Sequence, residues 1–200
     1  VLTDGNIKCW GGRFNGLIPG DDASLYGNKP SEVLALAPKV PFAASLEPVE
    51  IGLGGGFGCA RMTNGSVRCY GNFNLGPRDN EDSNMGGRGR TSVGTEYEGT
   101  KYGSMATLAP VSLGNGRTAT QLTVGYYHAC ALLDNAKVRC WGSGQARGAG
   151  TTGNPNYDTD MGDNLPDVDF GTGLTATKIS AGNDFTCALL SDQSVKCWGY

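Results

Sequence analysis

The sequence predicts an all-β chain built from short antiparallel hairpins that recur along its length. Three observations carry this expectation. Glycine occupies 33 of 200 positions, and such a load without a collagen-like period means many tight turns and short strands. No window of about 12 residues sustains an apolar i, i+3, i+4, i+7 pattern, so helices are not expected. The third observation is a cysteine-bounded segment that returns along the chain.

The recurring segment aligns without gaps on its second cysteine. The first copy runs from Val1 to Gly11 and contains Cys9-Trp10-Gly11. The second runs from Cys59-Ala60-Arg61-Met62 to Cys69-Tyr70-Gly71, and the third from Cys130-Ala131-Leu132-Leu133 to Cys140-Trp141-Gly142. The fourth runs from Cys187-Ala188-Leu189-Leu190 to Cys197-Trp198-Gly199. The second cysteines lie 60, 71 and 57 residues apart. A glycine stands five residues before each first cysteine, at Gly54, Gly125 and Gly182.

Each copy reads as a β-hairpin. In the second, Cys59–Met62 and Ser66–Cys69 are short strands and Thr63-Asn64-Gly65 is the turn. An Asn-Gly or Asp-Gly pair suits a turn that forces positive φ, and Asp4-Gly5 repeats it in the first copy. A three-residue loop ending in a left-handed glycine sets Cys59 opposite Cys69. Opposed positions in a non-hydrogen-bonded pair lie about 4.5 Å apart at Cα, within disulfide reach. Ala136 and Gln193 replace that glycine in the later copies, so their turns must differ or carry strain. The expected disulfides are therefore Cys59–Cys69, Cys130–Cys140 and Cys187–Cys197. By the same register the partner of Cys9 falls two positions before Val1. Zinc ligation fits poorly, because ten residues separate the cysteines of each pair and there is one histidine. Disulfides imply an oxidising compartment.

Composition excludes several functions. A net charge of −3 with scattered Lys and Arg offers no basic patch for nucleic acid. The pair Arg88 and Arg90 is offset by Glu81, Asp82, Glu96 and Glu98, so that glycine-rich loop reads as solvated. No apolar run approaches the roughly 18 residues of a membrane helix, so no membrane insertion is expected within this segment. The N-terminus has no signal-peptide pattern, but Val1 reads as the middle of a domain.

The fourth copy, Cys187-Ala188-Leu189-Leu190 through Val195-Lys196-Cys197-Trp198-Gly199, is preceded by Ile179, Ala181 and Gly182 at fixed spacing. With Gln145 after Trp141-Gly142, and the run Pro110-Val111-Ser112-Leu113-Gly114, it resembles the regulator-of-chromosome-condensation repeat family. Within that family it is most similar to the cysteine-paired extracellular branch. The resemblance covers nearly the whole chain. It implies a β-propeller of four-stranded antiparallel blades of about 50 or more residues, part of a seven-bladed ring. The loops after Trp10 and Tyr70 are longer than the family pattern and degenerate, as at Asp79–Tyr97. No segment matches the wedge by which the nuclear exchange factor engages its GTPase, so the resemblance implies fold and not exchange activity. On this reading residues 1–200 form one incomplete propeller domain. The repeats span approximately 1–59, 60–130 and 131–187, with 188–200 starting the next.

Each candidate site has a plain structural alternative. His128 is the only histidine, but Phe57 and Phe185 hold its position in neighbouring copies, so it reads as a packing residue rather than a base. Trp10, Tyr70, Trp141 and Trp198 follow the second cysteines. They read as rings packed on their own disulfide or the next blade rather than as a sugar-stacking surface. The stretch from Asp158 to Asp169 gathers Asp158, Asp160, Asp163, Asp167 and Asp169. Calcium favours such oxygen-rich loops, but the spacing is not that of an EF-hand, and turn capping is the simpler reading. Asn64-Gly65-Ser66 is the one Asn-x-Ser/Thr sequon, at a hairpin tip where glycosylation and turn geometry are both served.

No catalytic triad or cofactor motif can be assembled, so neither an enzyme nor a bound cofactor is expected. The expected function is a non-enzymatic extracellular or cell-surface scaffold binding protein partners, which include copies of itself in an assembly or filament. Loops 12–48, 72–110 and 143–173 would supply its contacts. The alternatives are a secreted enzyme inhibitor and a carbohydrate-binding module.

Overall fold

The computed structural model describes residues 2, 7–8, 11–12, 25–26, 39–40, 46–55, 57–71, 110–142, 148 and 161–200. Four two-residue strands come first: β1 (Ile7–Lys8), β2 (Gly11–Gly12), β3 (Leu25–Tyr26) and β4 (Lys39–Val40). Three triplets follow: β5 (Pro48–Leu53), β6 (Phe57–Met62) and β7 (Val67–Gly71); β8 (Ala119–Val124), β9 (His128–Leu133) and β10 (Val138–Gly142); β11 (Ala176–Ala181), β12 (Phe185–Leu190) and β13 (Val195–Gly199). Each triplet is an antiparallel meander, and β1 pairs with β4 and β2 with β3. The only helical turn among the described residues is a 3-10 turn at Gly162–Asn164. The chain is all-β, a partial β-propeller.

The hairpins take the expected register. Cys59 faces Cys69, Cys130 faces Cys140 and Cys187 faces Cys197. All three pairs are closed as disulfides with Cα atoms 4.0 Å apart. The turn chemistry is the same in all three hairpins. Gly65, Ala136 and Gln193 donate their N–H to the carbonyls of Met62, Leu133 and Leu190. Gly65 has φ 76°, and Ala136 and Gln193 adopt φ 62° and 70°. The later turns therefore keep the geometry and place ordinary side chains in the left-handed region, which costs about 1–2 kcal/mol each. Asn64, Asn135 and Asp192 steady the tips by accepting from the N–H two residues on.

The expected four-stranded blade is present in reduced form. The N–H of Val111 donates to Val67 and that of Val168 to Val138. Arg139 bridges Asp167 in the antiparallel sense, the register in which Lys8 faces Lys39 and Ile7 faces Val40. Ile7, Val67 and Val138 all lie two residues before their second cysteine. Among the described residues the outer fourth strand is thus one or two residues long. Pro110 and Pro166 stand at its start in the later copies and have no N–H with which to extend the ladder.

The inner strands β5, β8 and β11 are neighbours in space, and β8 also contacts β6 as β11 contacts β9, so successive sheets pack face to face. Each inner strand carries a bulge at the same place: the register shifts between Pro48 and Glu50, Ala119 and Gln121, and Ala176 and Lys178. The core lies between blades rather than within them. One cluster joins Phe57, Cys59, Val67 and Cys69 to Leu122, Ala131, Leu133 and Trp141. The next joins Cys130, Val138 and Cys140 to Ile179, Ala188 and Leu190, with Trp198 packed against it. Strand alternation explains the pattern. Adjacent Cys140 and Trp141 point to opposite faces, so Cys59–Cys69 and Cys130–Cys140 face the following blade while Trp141 and Trp198 face the preceding one. Trp141 packs with Cys59–Cys69 and Trp198 with Cys130–Cys140. The rings are packing residues, but their partner is the preceding blade, not their own disulfide or the next blade. Trp10 and the side chain of Tyr70 lie outside the described residues, as does Cys9.

Candidate interaction face and the blade seams

The seams are built by a periodic set of hydrogen bonds. At the turn between first and second strands, Gly55 donates its N–H to the carbonyl of Tyr126 at 2.9 Å. Tyr126 in turn donates to Asn183 at 2.8 Å. These residues follow Gly54, Gly125 and Gly182, so equivalent loops are linked blade to blade. The glycines are required by close approach. A Cβ on Gly54 would meet the ring of Phe57 and lie 2.6 Å from the Gly125 carbonyl. One on Gly125 would meet the His128 ring and lie 2.7 Å from the Gly182 carbonyl. Along the inner strands, side chains accept from the neighbouring backbone. Glu50 Oε2 accepts from Leu122 N–H at 3.0 Å while also pairing with Arg61. Gln121 Oε1 accepts from Ile179 N–H, and Thr123 Oγ1 from Ala181 N–H.

His128 sits in the seam, 1% exposed, with Nε2 2.7 Å from Thr186 Oγ1 of the following blade. Burial pushes its pKa down from 6.5 to about 4, against the opposing pull of Asp184. The imidazole is therefore neutral at pH 7, one ring nitrogen bonded to a hydroxyl. Phe57 is buried in the equivalent place, whereas Phe185 is 45% exposed.

Next to this seam the loop between β8 and β9 carries an aromatic pair. Tyr126 and Tyr127 are both exposed and meet edge to face, centroids 4.4 Å apart. Partial desolvation, then Tyr126 and the Asp184 carboxylate, raise the Tyr127 phenol above its ordinary range. Leu53, also exposed, ends the inner strand of the preceding blade. Exposed rings and an exposed leucine thus stand at the β8–β9 loop and at the end of β5. Sequence reasoning passed over Tyr126 and Tyr127, because the equivalent positions Gly55-Gly56 and Asn183-Asp184 hold no aromatic to mark a period.

The acidic stretch divides among separate tasks where it is described. Asp163 Oδ1 accepts from Asn115 N–H at 2.9 Å. Asp167 pairs with Arg139 at 2.8 Å, and Arg139 also donates to the carbonyls of Leu113 and Gly162. Asp169 Oδ1 accepts from Gly171 N–H. Asp158 and Asp160 lie outside the described residues. No group of three or more His, Cys, Asp or Glu side chains is placed to hold a metal among the described residues. No helix among them is long and apolar enough to cross a membrane. Most of loops 12–48, 72–110 and 143–173, with Arg88, Arg90 and Gln145, lies outside the description.

Residues 119–147 and 176–200 match the family model of the regulator of chromosome condensation (RCC1) repeat. A search of curated protein sequences finds no match. Solved structures share the fold. Yeast RCC1 (Prp20) bound to Kap60 superposes with TM-score 0.59 at 18% identity, over 98% of this chain and 38% of that one. Prp20p from Saccharomyces cerevisiae, described with its binding to Gsp1p and histones, gives 0.60 at 18% identity over 98% and 40%. Human WBSCR16 gives 0.61 at 14% identity over 100% and 44%. The chain thus spans about two fifths of the length of these propellers.

Proposed function

We propose that this chain, which carries RCC1 repeats, is part of a non-enzymatic extracellular or cell-surface propeller that acts as a protein-interaction scaffold or as a structural subunit of a surface assembly or filament. Residues 1–200 form one incomplete domain of that ring, with repeats near 1–59, 60–130 and 131–187. The observation that carries the reading is the disulfide closing the same hairpin in three successive blades. Such bonds persist in oxidising compartments and are rare where thiols are kept reduced. The rigid, sealed seams leave loops as the variable part of the molecule, and loops on rigid scaffolds are where binding concentrates. Protein binding is the use to which yeast Prp20 puts this fold, with Kap60, Gsp1p and histones. The use is carried over here and those partners are not.

The test is made on protein purified from its source without reductant. Non-reducing peptide mapping should find Cys59 joined to Cys69 and Cys130 to Cys140; free thiols at these positions overturn the extracellular assignment. Light scattering on the same sample then separates the scaffold forms. A large ordered assembly supports the structural subunit. A monomer that retains a soluble protein from its own surroundings supports a recognition scaffold, and one that retains only glycans overturns both.

A further inference from the structure

The tip of the hairpin β6–β7 holds a group that neither the seams nor the interaction face uses. Asn64 is exposed at this tip. Its Oδ1 accepts from the Ser66 N–H at 3.0 Å and from the Ser66 hydroxyl at 2.7 Å. Both bonds are made by the oxygen of the amide, and among the described residues its nitrogen makes none. The residues Asn64-Gly65-Ser66 form an Asn-x-Ser sequon. The equivalent tips do not: Asn135-Ala136-Lys137 lacks the hydroxyl residue, and Asp192-Gln193-Ser194 lacks the amide.

We propose that Asn64 is an N-glycosylation site, the amide nitrogen being the acceptor for an oligosaccharide delivered from a lipid pyrophosphate donor. In the transfer, Nδ2 attacks C1 of the first sugar and an N–C bond forms. The C1–O bond to the pyrophosphate breaks, the lipid pyrophosphate leaves with its electron pair, and Nδ2 gives up one proton. The product remains an amide, so Oδ1 keeps both bonds to Ser66 and the turn is unchanged. The folded tip accommodates the glycan, because the Gly65 side of the turn is the one packed on the following blade. There Gly65 accepts from Ala119 N–H at 2.8 Å, and a Cβ on it would lie 2.7 Å from Thr118 Cβ. Asn64 itself is exposed. The tip lies against the start of β8 at Thr118 and Ala119, so a glycan here would leave the loop with Tyr126 and Tyr127, at the other end of β8, open.

This site rests on the extracellular reading above, and one digest separates the two. Trypsin cuts after Arg61 and Arg68, isolating residues 62–68 from the flanking peptides that carry Cys59 and Cys69. The protein is taken from its source without reductant, digested, and treated in heavy-oxygen water with an amidase that releases N-glycans. Peptide 62–68 should appear only after release, with residue 64 read as aspartate carrying one heavy oxygen. Peptide 62–68 found bare beside an intact Cys59–Cys69 link overturns the glycan and leaves the compartment standing. Free thiols at Cys59 and Cys69 overturn the compartment. Aspartate that forms at residue 64 in heavy-oxygen water without the amidase marks spontaneous deamidation of the Asn64-Gly65 pair and also overturns the proposal. Expressed in secreting eukaryotic cells, Ser66→Thr should retain the mass increment and Ser66→Ala should lose it.

Discussion

His128 shows how one side chain can tune a seam. Its neutral ring accepts or donates a single bond to Thr186, and protonation would place a charge where burial penalises it. The group's folded-state pKa, about 4, lies below the ordinary 6.5, so the folded state binds its proton less readily than the unfolded chain. The stability it protects is complete above pH 6.5 and is lost as pH falls from there toward 4, with a slope of up to about 1.4 kcal/mol per pH unit. Asp184 is the charged group that opposes this loss, and it does so only partly. The variant His128→Phe should flatten that window, because Phe57 and Phe185 already occupy the equivalent positions. At pH 7 it should cost about 1 kcal/mol for the missing hydrogen bond. Urea unfolding of both proteins at pH 7 and 4.5 decides the matter, and parallel losses on acidification would remove His128 from the account.

At the scale of the hairpin, three copies run the same turn with different residues, which makes an internal experiment. Ala136 and Gln193 hold φ of 62° and 70°, a region that costs an L-residue about 1–2 kcal/mol and glycine almost nothing. After allowing for the greater entropy of glycine in the unfolded chain, Ala136→Gly should stabilise by up to about 1 kcal/mol. The reverse change, Gly65→Ala, should destabilise, because it adds both the φ penalty and a Cβ pressed on Thr118. Denaturation midpoints that move in the same direction for the two variants would contradict this. The hairpins and their disulfides were legible in the sequence because a fixed spacing of ten and an Asn-Gly signal act within a few residues. The relay from Glu50 to Leu122, and from Gln121 to Ile179, was not legible. It joins a side chain to a backbone N–H in another repeat, and backbone donors leave no mark on the residue that carries them. The outer strand was hidden for a related reason: one or two residues after a proline are too few to show an alternating pattern.

Across the whole molecule, stability resides in interfaces between blades, so an event in one repeat should be felt in the one before it. The sequence marked the tryptophans as periodic packing residues, but strand alternation alone does not say which neighbouring blade lies on which face. The clusters settle the direction: Trp141 covers the side of the seam that holds Cys59–Cys69, and Trp198 covers that of Cys130–Cys140. Trp141→Leu keeps an apolar side chain but withdraws most of the ring from a closely packed site, a loss on the order of 1–3 kcal/mol. Its specific consequence is chemical. Under native conditions with a mild thiol reductant, Cys59–Cys69 should open faster in the variant, although the substitution lies more than seventy residues away along the chain. Cys130–Cys140, still covered by Trp198, should keep its rate. Quenching with an alkylating reagent and mapping the labelled cysteines over time reads both rates at once. Equal acceleration of the two disulfides would mean that the variant merely unfolds more often. Selective acceleration of the preceding blade's bond would establish that each repeat completes the protection of its predecessor, the cooperative arrangement expected of a stacked repeat protein.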